Sequence, residues 1–263
     1  MQRQVSAAMT ATVHQPATVV LQVAASAGYE LTEVLEVHVD GVAQAPRELR
    51  APHGARLHVV DAPVGEMSVR YSATVHGTGE PDVADEVDLL HYLRPSRYCE
   101  SDTLSPTARA KFAGLAGAEI LPAVSSWVGT RLSYVPGSSQ PTDGAVQTML
   151  ARQGVCRDYG HLVVALLRAL DVPSRLVGVY APGLDPMDFH AVAEAHVAGA
   201  WRVVDATLLA PRSTLVRVAT GADASDTAFL SAYGGVVDLD ELEVTAVVDS
   251  LPYDDIHELV SIG

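Results

Sequence analysis

Residues 155–170, VCRDYGHLVVALLRAL, constrain this chain more than any other stretch. Leu162, Val163, Ala165, Leu166, Leu167, Ala169 and Leu170 surround most of a helix circumference. A helix that is apolar on nearly every side has to be covered on nearly every side. Its first N–H groups and the positive end of its dipole are then held in one place. Cys156, one of two cysteines in the chain, stands at that end. A thiol at a helix start is stabilised as thiolate and gains nucleophilicity. A buried structural cysteine is the plain alternative.

A nucleophilic cysteine needs a base, and the base needs an orienting group. The chain has ten histidines, so geometry has to select among them. In FHAVAEAHV-AG-AWRVVDAT, alternation puts His190, Val192, Glu194 and His196 on one strand face. A two-residue turn at Ala198-Gly199 pairs Val197 with Ala200 and Val192 with Asp205. Asp205 then shares a face with His190 on the diagonal, about 7–8 Å away between backbones. His196 lies four residues from Val192, roughly 13 Å along the strand, too far for Asp205 to orient it. A surface histidine on a strand is the alternative for His190 alone.

Around this centre the chain divides in two. Between residues 13 and 75 the segments are short, β-branched and partly alternating, as in a small all-β sandwich. Asp40-Gly41 marks a hairpin. Residues 85–106 hold two prolines and mixed charge and read as a connection. Beyond them the text turns helical, with a start at Ser105 and Pro106 at the first helical position. Pro122 is expected to break or kink that run. Residues 133–144 read as a loop, and the next short helix is expected to close at Gly154. Strands follow from residue 174 onward. The expected domains are 1–100, β-rich, and 101–263, helix and strand.

Composition limits the partners. Hydrophobic residues make up 48% of the 263 and charged residues 19%, which describes a globular chain with a real core. A net charge of −15 repels phosphate backbones and anionic lipid, so neither nucleic acid nor a membrane is an expected partner. No apolar run reaches 18 residues, and the first residues lack the apolar core of a signal peptide. Two cysteines far apart suit a reducing cytoplasm. No C-x-x-C or H-E-x-x-H spacing occurs, so no metal or other cofactor is expected. Arg157 and Asp158 are read as holding the helix start, and Cys99 as structural. His161, five residues past Cys156, leaves its helical face and is read as a buried or half-buried ring bonded to the neighbouring domain. The acidic stretch 238–243 is read as a solvated strand edge.

The stretches GVCRDYGHLVVALLRALDVPSRLVGVY and DFHAVAEAHVAGAWRVVDAT resemble the core of the transglutaminase-like cysteine peptidase superfamily. In that family a cysteine on a helix is followed by histidine on one strand and aspartate on the next. YLRPSRYCESD resembles the segment that joins a β-rich N-terminal domain to the core in its bacterial branch. The resemblance implies an α+β, papain-like core behind a sandwich-like domain. It also implies a catalytic triad of Cys156, His190 and Asp205. The chain departs from the family pattern at Val192, where an aromatic residue is usual, and at Ala206, where proline is frequent. By the same resemblance a second oxyanion donor comes from the loop before the nucleophile helix, with Tyr134 the candidate ahead of Trp127 and Gln147.

The implied activity is thiol-dependent acyl transfer on a peptide or other amide through a thioester. Small Val192 and Ala193 beside His190 make a wet site, which favours hydrolysis or deamidation over amine transfer. A transglutaminase that transfers amines, and a non-catalytic interaction module with a relic core, are the competing expectations. Substrate identity and oligomeric state are not legible.

Overall fold

The computed structural model describes residues 1–263. Its first half is a sandwich of two antiparallel sheets. The larger contains Gln2–Val13, Glu30–Val39, Val42–Gln44 and Gly65–His76, and the smaller contains Ala17–Leu21, Arg47–Arg50 and Arg56–Ala62. Gln2–Val13 and Gly65–His76 alternate buried and exposed residues, so one face of the sheet turns inward. Val39 pairs with Val42 across Asp40 and Gly41, whose φ angles of 47° and 75° make the two-residue hairpin turn.

The sandwich is closed by the far end of the chain. Leu230–Tyr233 joins the smaller sheet against Ala17–Leu21. Val237–Val248 joins the larger one as an edge strand against Gln2–Val13. The expected division at residue 100 leaves these strands with the second unit, whereas their pairing lies in the first. The cores also merge: Tyr180, Val216, Val218 and Ala219 pack with the sandwich interior. The Tyr180 hydroxyl donates to the Val23 carbonyl at 2.8 Å. Residues 238–241 of the edge strand are exposed, as their charge requires.

The second half centres on the helix Cys156–Ala169, all of whose residues from Asp158 onward are buried. Ser101–Lys111 and Ile120–Arg131 cover it with Ala145–Ala151 on one side. A four-stranded antiparallel sheet covers the other, in the order Ala200–Val204, Phe189–Val197, Ser174–Tyr180, Val216–Gly221. This is a mixed α and β arrangement of helices and antiparallel sheet around one buried helix, as the resemblance implied.

Three local expectations are corrected. The first helix starts at Ser101, and Pro106 lies inside it. Leu104, Ala108 and Phe112, spaced by four, are buried together, and that burial outweighs the one backbone bond that proline removes. Pro122 interrupts nothing: it is the third residue of Ile120–Arg131, where an N–H has no partner within the helix. The break comes earlier, around Gly114 and Gly117, both at positive φ. The short helix closes on Arg152, at φ 56°, and not on Gly154. Gly154 has a different task. It pairs with Tyr134, and a Cβ there would stand 2.7 Å from that of Asp158.

The connection at residues 85–106 is packed, not loose. Asp85 caps the helix Glu86–His91 by accepting from Asp88 N–H at 2.8 Å. Tyr92 and Cys99 are buried. Arg168 reaches back from the central helix to the Arg94 carbonyl and the Ser96 hydroxyl. No helix is long and apolar enough to cross a membrane.

Candidate active site

Cys156 is the first residue of the buried helix and is itself half-buried. Asp158 holds the helix start. Its fully buried carboxylate accepts from Val155 N–H at 2.8 Å and pairs with Arg157 at 3.1 Å. Arg157 continues outward, donating to the Ser139 hydroxyl and the Gln140 carbonyl at 3.0 Å each. The cap expected of this pair is present, and it also ties the loop before the helix to the helix itself.

His190 and Asp205 meet as the two-residue turn requires. Ala198 and Gly199 have φ angles of 54° and 77°, Val197 faces Ala200, and Ala193 faces Val204. That register brings the His190 Nε2–H to the Asp205 Oδ2 at 2.8 Å, with both side chains buried. Thr207 donates to the other Asp205 oxygen twice, from its N–H at 2.8 Å and its hydroxyl at 2.7 Å. The carboxylate is thus oriented from two sides. His190 Nδ1 is left buried with no aligned hydrogen-bond partner, and the Cys156 thiol is the group within its reach. Long or loose contacts at this point are common before a substrate binds. Burial disfavours the imidazolium, but the charge and hydrogen bond of Asp205, with Cys156 behind, outweigh it and push His190 up to about 10. Burial likewise opposes the Asp205 charge, and His190 and Thr207 reverse that and hold it below the ordinary range.

Tyr134 approaches from the loop side. Its two-residue strand, Ser133–Tyr134, pairs in parallel with Gln153–Gly154 just before the helix. Its hydroxyl lies against the backbone N–H and the thiol of Cys156. Burial and the neighbouring thiol push that hydroxyl up to about 12, so it remains a neutral donor. The alternatives point elsewhere: Trp127 packs edge-on against Phe112, 6.1 Å between ring centres, and Gln147 is exposed.

His196 and His161 are occupied. His196 is half-buried edge-on to Trp201, with ring centres 5.3 Å apart. His161 is fully buried, stacked on Tyr98, and its Nε2 accepts from Ala224 N–H at 3.1 Å. Burial drives its pKa down to about 4, so it stays neutral. Its partner lies in the second half of the chain, not in a neighbouring domain. His196→Gln should retain most of kcat, whereas His161→Gln should keep activity but lower the melting temperature by several degrees. Both are read from steady-state rates beside thermal unfolding. A His196→Gln enzyme as dead as His190→Ala would break the assignment of the base.

Sequence reasoning missed the group that anchors the histidine strand. Glu194 is completely buried and bonded by two arginines, Arg175 at 2.7 Å and Arg217 at 2.6 Å. Arg175 stands on the adjacent strand Ser174–Tyr180 and Arg217 on Val216–Gly221, one strand further out in the sheet. Arg175 also pairs with Asp82 at 2.6 Å and lies 3.9 Å over the Trp201 ring. Burial raises the Glu194 carboxyl, but both guanidiniums prevail and keep it ionised. A lone glutamate inside the apolar run HAVAEAHV was the available signal, since such a charge survives burial only when paired.

A family model described as the transglutaminase-like superfamily matches residues 111–206, the stretch that holds Cys156, His190 and Asp205. A solved structure, "a Putative Cysteine Protease from Cytophaga hutchinsonii", is 30% identical in sequence. It superimposes with a TM-score of 0.86 over 99% of this chain and 96% of its own. The chain belongs to the transglutaminase-like superfamily. An uncharacterized protein of Mycobacterium leprae is 27% identical over 129 residues, covering 45% of this chain and 46% of that protein. One from Mycobacterium tuberculosis is 35% identical over 74 residues, 26% of this chain and 24% of its own. The chain thus spans less than half the length of these curated relatives. Membership in the superfamily puts the chain in a family of thiol-dependent enzymes.

Proposed function

We propose that this chain hydrolyses or deamidates amide bonds through a Cys156 thioester. Cys156 sulfur attacks the carbonyl carbon, and His190 takes the thiol proton and returns it to the departing amine. A carbon–sulfur bond forms and the carbon–nitrogen bond breaks. Water, deprotonated by His190, then attacks the thioester and releases the acid and the free thiol. Asp205 holds the ring with Nε2–H toward itself, which leaves Nδ1 for the proton transfers. The Cys156 N–H and the Tyr134 hydroxyl receive the oxyanion. The single observation that carries this reading is the buried ring of His190, bonded to Asp205 on one nitrogen and open toward the thiol on the other. Two free cysteines fit a reducing compartment such as the cytoplasm.

Hydrolysis is favoured over amine transfer by the openness of the site. Water stands at about 55 M, so transfer requires walls that exclude it and a held amine. Of the aromatic residues that could wall the site, Tyr159 packs on Tyr134, ring centres 6.0 Å apart, while Phe189 and Trp201 are engaged elsewhere. Phe189 packs on Tyr180 and Phe229, with ring centres 5.1 and 5.2 Å away, and Trp201 packs on Tyr92 and His196. Tyr134, beside the thiol, is exposed. Supplied with a glutamine peptide, an ordinary peptide amide and a tagged primary amine at millimolar concentration, the protein should yield free acid in excess of tagged product. Mass spectrometry reads both, and mostly tagged product would replace hydrolase by transglutaminase.

A further inference from the structure

Asp188 immediately precedes the histidine strand. In extended chain, residues two apart point to the same face, about 7 Å from one another. Phe189 turns to the opposite face, into Tyr180 and Phe229. Continued one residue before the strand, that alternation puts Asp188 on the His190 side. Its surroundings agree. Its charge is felt at the His190 ring and at the Tyr134 hydroxyl, the two side chains that flank the thiol.

No lysine or arginine pairs with this carboxylate, and the cation it feels is the His190 ring. Asp188 makes one hydrogen bond, accepting from Phe189 N–H at 2.7 Å, and takes part in none of the ion pairs of the molecule. Arg157, the arginine that follows Cys156, is consumed by Asp158 and the 139–140 carbonyl and hydroxyl. The exposed carboxylate carries a charge that neither packing nor capping requires, since the N–H it accepts belongs to its own neighbour. At the rim of a thiol cleft such a charge has a use: it attracts a cation and repels an anion.

We propose that Asp188 is a specificity-determining residue that makes the Cys156 cleft select substrates with an ammonium or guanidinium group next to the attacked carbonyl. A lysine or arginine side chain there places its charge within reach of Asp188, whereas an acidic side chain meets a like charge. The inference rests on the reading of Cys156 as the nucleophile, and its test is independent of any peptide substrate.

The test compares two methanethiosulfonates of similar size, one ending in trimethylammonium and one in sulfonate. The Cys156 sulfur attacks the sulfenyl sulfur of either, forming a mixed disulfide and expelling methanesulfinate. Cys99 is buried, and mass spectrometry locates the label on Cys156. The quantity read is the ratio of the cationic to the anionic rate constant. One charge about 7 Å away in a largely aqueous cleft changes that ratio by roughly 5- to 10-fold. The ratio should fall by that factor in Asp188→Asn, be restored in Asp188→Glu, and drop further in Asp188→Lys. In wild type it should shrink as salt is raised toward 1 M. An unchanged ratio in Asp188→Asn overturns the proposal, whether or not the protein cleaves amides. A shifted ratio together with no cleavage of any peptide amide counts against the acyl-transfer reading alone.

Discussion

Cys156→Ala should abolish turnover and leave the fold intact. The side chain is half-buried at the first position of its helix, and alanine suits that position, so the melting temperature should stay within a few degrees of wild type. The proposed chemistry has no such tolerance, because the only other thiol, Cys99, is buried. His190→Ala should lower kcat by about 10³-fold, within the range that general base catalysis supplies. It also strips Asp205 of one partner, but both Thr207 bonds remain, so the cost to stability is about 1–3 kcal/mol and the variant still folds. The double variant should be no worse than Cys156→Ala, since residues that act as one unit are not additive. Iodoacetamide near neutral pH gives a parallel reading: rapid labelling of Cys156 in wild type, slower labelling in His190→Ala, and none of buried Cys99 until unfolding. If either single variant keeps most of its turnover, the proposed roles of Cys156 and His190 fall together.

Glu194→Ala should be the most destabilising single change at a polar position. It leaves Arg175 and Arg217 buried without the carboxylate they share. Removing one partner of a buried ion pair costs about 3–5 kcal/mol, because the remaining charge is uncompensated. For a chain of this size that corresponds to a fall in melting temperature of roughly 10 °C. Glu194→Gln keeps the shape and some hydrogen bonds and should lie between the two. The effect reaches the site through the backbone. Glu194 sits four residues along from His190, and its arginines come from Ser174–Tyr180, beside the histidine strand, and from Val216–Gly221, one strand further out in the sheet. The ion cluster therefore fixes the strand that carries the base. Calorimetry of the three proteins at one pH decides this. A melting temperature for Glu194→Ala within 2–3 °C of wild type would mean that the arginines find other partners or solvent.

What was legible in the sequence shared one property, that it depended on neighbours within about twenty residues. The apolar helix behind Cys156, the turn at Ala198-Gly199 and the alternation of FHAVAEAHV are local, and local geometry follows from periodicity and turn chemistry. From these alone His190 could be paired with Asp205 and separated from His196. The helix boundaries at Ser105, Pro122 and Gly154 were also read locally and were displaced. At two of them packing ruled: burial of Leu104, Ala108 and Phe112 carried a helix past Pro106, and Asp158 claimed the space beside Gly154; Pro122 falls in the first turn of its helix, where its missing N–H costs nothing.

Tertiary structure alone decided the rest, because it depends on residues distant in sequence. Val237–Val248 returns over more than two hundred residues to pair with the first strand, and nothing in an alternating strand names its partner. Glu194 reads as a misplaced charge until Arg175 and Arg217 are folded against it. Asp188 reads as a loop aspartate until the fold brings it where its charge is felt at His190 and Tyr134. Sequence by itself singled out Cys156, His190 and Asp205 as the proposed chemical groups, since such roles follow from a side chain's own reactivity and immediate frame. The fold determined what surrounds them, since the field and packing at a site are sums over everything brought near it.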